Sequence, residues 1–302
     1  MAKNRFPKDR ALTARMGLTI FLIGLLYVVF VSALLVLKVG LGLVLVIAGG
    51  LLFVQYFFSD KIALSSMGGK IVTNEQAPEL HAIVDRLCAL ANMPKPRVAI
   101  SNSDIPNAFA TGRNPSNAVV CATTGLLRRL SEQEVEAVLA HELSHVAHRD
   151  VAVMTIASFL GVVAGFLTRI EMWTGGSIGG GGRGRNNQNS SSVGIIIFLV
   201  SILVYAISFM ITRALSRYRE LSADRSGAIL IGHPSILKSA LIKVSGDIGR
   251  IPTRDLRGAS AFNAFYFAPA LTTGGIGGIF STHPSLEKRI AQLDQLERDL
   301  TE

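Results

Sequence analysis

The chain has 302 residues, enough for one sizeable domain or for a smaller domain with membrane helices. Apolar residues make up 49% and charged residues 17%, and the mean hydropathy is positive; this excludes an ordinary water-soluble protein and fits a polytopic membrane protein with a soluble part. The net charge is +9, but the basic residues form no single stripe, and several cluster at the N-terminus and near the ends of apolar runs, which speaks for membrane topology and against nucleic acid as a partner.

Four apolar runs are long enough to cross a bilayer: residues 16–37, 39–58, 151–167 and 193–211. A buried helix next to a catalytic one would also be as apolar as the third run. A cleavable signal peptide fits the first run poorly, because it is too long and a second hydrophobic segment follows at once. The N-terminal arm carries Lys3, Arg5, Lys8, Arg10 and Arg15 against the single acid Asp9, which predicts a cytoplasmic N-terminus. Four crossings then return both soluble parts, 59–150 and 212–302, to the cytoplasmic side. The Gly-, Asn- and Ser-rich stretch 175–192 lies between the last two crossings. It has too little apolar area to offset the entropy of ordering and is expected to be a flexible external loop. Cys88 and Cys121, with no CxxC spacing, predict neither a disulfide framework nor a cysteine metal site.

In the first soluble part, residues 74–93 predict an amphipathic helix with Leu80, Ile83, Val84, Leu87 and Leu90 on one side. Strands are expected over 97–101 and 118–123, with 107–111 as a third on a sheet edge or as a simple turn after Pro106. Ser131-Glu132-Gln133-Glu134 is a capping-box pattern that starts a helix running into His141. The second part predicts helices over 215–231, 235–244 and 285–300.

His141 and His145 stand four apart on that capped helix, so both imidazoles can reach one ion. Glu142 lies beside them, where a general base for peptide hydrolysis is needed. A third ligand has two candidates. His148 is seven residues beyond His141, a rise of about 10 Å, and three ligands on one straight helix cannot surround an ion tetrahedrally. Glu220 is the better choice. Asp224 follows it by four residues and can accept the free ring N–H of a ligand histidine. Small Ser222 and Ala223 would let the two helices approach closely.

Beyond these residues, Pro106 to Gly112, Thr123-Thr124-Gly125-Leu126, His141 to Asp150, Ser216 to Asp224 and Ser281-Thr282-His283-Pro284 occur in order behind an N-terminal hydrophobic pair. In this combination the chain resembles the HtpX-like branch of the M48 peptidases, membrane zinc endopeptidases of bacteria. The resemblance implies His141, His145 and Glu220 as ligands of one Zn2+ per chain, Glu142 as the catalytic residue and Asp224 behind the ligands. It implies a mainly α integral-membrane protein: four transmembrane helices and a cytosolic gluzincin-type α+β protease domain containing a small sheet. The expected division is 1–58, the arm and two membrane helices; 59–150, the first protease part; 151–211, the second membrane pair and its loop; and 212–302, the second protease part. It also implies a bacterial cell-membrane location and a role in clearing damaged or misfolded membrane proteins under stress, with unfolded proteins as substrates and the lipid bilayer as partner. Asn107, Ala108 and Phe109 resemble the family's substrate-side edge strand, where free backbone groups would hold an extended peptide. His283 either belongs to the cap of the last helix or approaches the site to stabilise an oxyanion.

Overall fold

A computed structural model describes residues 10–37, 56–174, 188–250 and 283–302, with scattered positions between 42 and 54. Contacts divide the chain into two compact units, one of Met1–Thr13, Tyr56–Ala152 and Ser216–Glu302, the other of Ala14–Gln55 and Val153–Leu215.

The first unit is built on a four-stranded sheet. Its strands are β1 (Gly69–Ile71), β2 (Arg97–Ser101), β3 (Ala108–Thr111) and β4 (Val119–Thr123), in the order β1-β2-β4-β3. The central pair β2/β4 is parallel, and both edge strands run antiparallel to their neighbours. Of the two readings of 107–111, strand and turn, the strand is present and lies on an edge, whereas β1 is too short to show alternation and was not legible. Small and β-branched side chains suit a sheet covered on both faces. Val98, Ala108, Ala110, Val120 and Ala122 belong to the main core with Val84, Leu87, Val138 and Leu139. Ala99, Phe109, Val119 and Cys121 pack against Ala63 on the opposite face.

Two helices line the main-core face of this sheet, and a third packs on one of them. α3 (Pro78–Ala91) buries Leu80, Ile83, Val84 and Leu87 but leaves Leu90, in its last turn, exposed against expectation. α5 (Glu132–Ala147) brings the HExxH residues beside β3 and β4, and α8 (Pro234–Arg250) packs on α5. Two short helices, α2 (Ser59–Ser66) and α4 (Thr124–Arg129), flank the strands, and α9 (Leu286–Thr301) packs on α8.

The second unit is helical. α1 (Arg10–Val36), α6 (Asp150–Thr174) and α7 (Gln188–Ile231) include three stretches long and apolar enough to cross a membrane: Thr13–Val36, Asp150–Ile170 and Val193–Ile231. Phe30, Leu34, Leu160, Ala164, Leu167 and Ile197 pack together inside it, while Leu18, Phe21, Val28, Ile195 and Leu203 are exposed, as lipid-facing side chains would be. Gly161 and Gly165 bring their helix close to Ser208 and Tyr205. The second apolar run, 39–58, falls largely outside the described residues, as does most of the loop expected over 175–192. From Gln188 onward that stretch is helix.

The fourth apolar run and the Glu220 helix were expected as separate elements but form the single 44-residue α7. Between Gly194 and Gly227 no glycine or proline interrupts it, so nothing stops the helix where its sequence changes from apolar to polar.

Candidate metal centre

The site begins with the start of α5. Ser131 accepts from the Glu134 N–H while Glu134 Oε2 accepts from the Ser131 N–H at 2.9 Å, closing the expected capping box. Glu134 also receives Ser239 Oγ at 2.7 Å and Lys243 Nζ at 2.8 Å, which tie α8 to the start of α5. Burial alone would raise the Glu134 carboxyl, but these donors outweigh it and bring its pKa to about 2.

Two turns later, His141 and His145 face each other with their Nε2 atoms 3.3 Å apart. Glu220 comes in from α7, its Oε1 3.4 Å from His145 Nε2 and its Oε2 3.8 Å from His141 Nε2. Ligand atoms of the three residues all lie within 4.8 Å of one another. The edge of a tetrahedron with metal–ligand bonds of 2.0–2.2 Å is about 3.4 Å, so the spacing suits one zinc ion. Burial holds His141 below the usual imidazole range and takes His145 down to about 4. Both rings are thus neutral near pH 7, the form that binds a metal.

α7 can come this near α5 because of Gly227. A Cβ there would sit 2.8 Å from His141 N and 3.0 Å from His141 Cα. Close approach was expected at Ser222 and Ala223; Ala223 is buried and Ser222 half-buried, but the position that meets the His141 backbone is Gly227.

Each ligand has a partner on its far side. His141 Nδ1 lies 2.9 Å from Oδ1 of Asp224, the acid four residues after Glu220. Asp224 is held by the fully buried Arg289 of α9 through two contacts of 2.7 and 2.6 Å. His145 Nδ1 lies 2.6 Å from Asp150 Oδ2, and Asp150 pairs with Arg219. Glu220 Oε2 lies 2.9 Å from His283 Nδ1. Each aspartate thus pairs with an arginine, whereas the ion-pair partners of Glu220 are the imidazoles of His141, His145 and His283.

Glu142 is buried, and its Oε2 accepts the Ala110 N–H of β3 at 3.1 Å. Burial, and then the nearby Glu220 charge, raise its pKa well above the carboxylate range. Asn107 is fully buried and bound to Thr123, and Phe109 is packed in the core on the far side of the sheet. In the antiparallel register Asn107, Phe109 and Thr111 turn their backbone groups towards β4, so Ala108 and Ala110 turn theirs away from it. His148 is the C-cap of α5, a helix-end residue. Ser285 caps the last helix, and His283 lies against Glu220; Ser281 and Thr282 fall outside the described residues.

Sequence reasoning missed Asp150, Arg219, Arg289, Ala110 and Gly227. Arg289 did carry a signal, since it occupies the same helical register as Leu293 and Leu296.

Residues 74–297 match Peptidase family M48. The chain belongs to that family. It is 58% identical to "Protease HtpX homolog 1" of Streptomyces coelicolor over 99% of this chain and 97% of the relative. It is 52% identical to "Protease HtpX homolog" of Moorella thermoacetica over 99% of each chain. Among solved structures, S. mikatae Ste24p is similar in fold, with a TM-score of 0.51 at 20% identity. The match covers 90% of this chain and 62% of Ste24p. The protein is thus an M48 zinc metallopeptidase and an integral membrane protein of HtpX type, with a metal site at His141, His145 and Glu220.

Proposed function

We propose that the protein is a membrane endopeptidase that holds one Zn2+ per chain and uses Glu142 as general base. The observation that carries this reading is the position of Glu142, buried next to the ligand cluster and bonded to the edge strand through Ala110. A zinc ion held by His141, His145 and Glu220 supplies Lewis acidity, making water acidic near neutral pH and polarising a scissile carbonyl. Glu142 takes a proton from the attacking water and hands it to the leaving amine nitrogen. The Ala110 N–H fixes Oε2, which leaves Oε1 to carry that proton. An extended substrate pairs with the outward backbone groups of β3 at Ala108. The buried side chains of Asn107 and Phe109 serve by anchoring the strand, and His283 serves by holding Glu220.

The active site faces the cytoplasm of a bacterial cell, a reading supported by the basic N-terminal arm. The substrates are damaged or misfolded membrane proteins and other unfolded chains, cleaved under stress; this rests on the family resemblance. In detergent, chelation should abolish cleavage of a casein-like substrate and zinc should restore it. Cleavage that survives complete zinc removal would refute the reading. A reporter fused at Gly182 should lie outside the cytoplasm, and a cytoplasmic reporter would invert the topology.

A further inference from the structure

The acid at the start of α6 has no part in the mechanism above, yet it is buried. Asp150 follows His148, the C-cap of α5, and Arg149, which adopts a left-handed φ of 57°. That conformation usually falls to glycine at a helix end and is costly for an arginine, so the turn is held by its surroundings. It reverses the chain so that Asp150 comes back onto the last turn of α5. There its Oδ2 lies 2.6 Å from His145 Nδ1, and its other oxygen pairs with Arg219. Asp150 is 8% and Arg219 4% exposed.

An acid in the first turn of a helix ordinarily faces water and offsets the helix dipole, which needs no partner. Burying this one against an imidazole and a guanidinium is a different arrangement. It repeats the His141–Asp224–Arg289 chain on the other ligand histidine, with residues from different elements. Arg219 immediately precedes Glu220, so the residue that neutralises Asp150 is adjacent to the third ligand.

We propose that Asp150, held by Arg219, is the positioning residue for His145: it accepts the Nδ1–H, fixes the ring tautomer and turns Nε2 to the metal. This rests on the zinc reading of the site. The two arginines differ in what they tie together, since Arg289 reaches Asp224 from α9 and Arg219 reaches Asp150 from the ligand helix itself. Loss of Asp150 would therefore affect the metal site even with α9 in place.

The test is zinc affinity of the full-length protein in detergent, measured by competition with a chelator, together with the visible spectrum of the Co2+-substituted protein. Asp150→Ala should weaken zinc binding about 10- to 100-fold, the usual effect of removing such a partner, and change the Co2+ spectrum. Asp150→Asn, which keeps the shape and an acceptor, should fall between Asp150→Ala and wild type. Unchanged affinity and spectrum in both would overturn the proposal. Should both variants fail to fold, the histidine side-chain 15N spectrum of the zinc-loaded wild type decides. It should show His145 protonated at Nδ1 and metal-bound through Nε2; the reverse would overturn the proposal. His145→Ala separates the two readings. If it retains full zinc affinity, the metal site itself is wrong; if it loses zinc while the Asp150 variants do not, only the positioning role fails.

Discussion

The backbone N–H of Ala110 donates to Glu142 Oε2 at 3.1 Å, so the edge of the sheet is hydrogen-bonded to the acid of the HExxH helix. The strand that would hold a peptide and the group that would activate water are therefore fixed to each other. Ala110→Pro removes the donor from an edge position where the N–H points away from β4. Loss of a hydrogen bond of this kind costs about 0.5–1.5 kcal/mol, so turnover should fall roughly 2- to 10-fold with zinc content kept. Normal turnover in this variant would show that the contact is incidental.

Gly227 sets the distance between the two ligand helices. Gly227→Ala forces a methyl group against the His141 backbone, which cannot yield as a flexible side chain could. Overpacking of this kind costs about 1–3 kcal/mol, and thermal unfolding should shift down accordingly, with weaker zinc binding. A helical glycine replaced without strain would instead raise stability, and a higher melting temperature would contradict the geometry.

Arg289 is buried against Asp224. Arg289→Met leaves that carboxylate without its cation, and breaking a buried pair costs about 3–5 kcal/mol. The melting temperature should fall sharply, and Arg289→Lys should recover only part of it because lysine cannot make the two-pronged contact. Full recovery by lysine would mean that charge alone matters.

Glu134 gives a pH dependence. Its folded pKa of about 2 lies below the ordinary carboxylate value, so the folded state favours the ionised form. Its contribution to stability is complete above the unfolded pKa and disappears as pH falls through about 2. Measured on metal-free protein, the difference in melting temperature between wild type and Glu134→Gln should be largest near pH 6 and shrink as pH falls below about 4, the ordinary carboxylate range. A constant difference across that range would contradict the assignment.

The ligand set and the helix that carries it were legible because spacing on one helix is local information: His141 and His145 four apart, Glu220 and Asp224 four apart, Ser131 and Glu134 closing a cap. What was not legible depends on where the chain returns to itself. Asp150 needs the left-handed Arg149 to swing it back, and nothing in the spacing predicts that conformation at an arginine. Arg289 reaches Asp224 from 65 residues away. The continuity of α7 was missed because a change from apolar to polar composition resembles an element boundary, although no helix-breaking residue stands there. β1 has three residues, too few for a period.

The most direct test of the central claim is Glu142→Gln compared with wild type in detergent, measuring zinc content and cleavage of an unfolded substrate together. Glutamine keeps the shape but cannot accept the proton from water. Equal zinc content and lost cleavage are expected. Equal cleavage by the two proteins would contradict that claim.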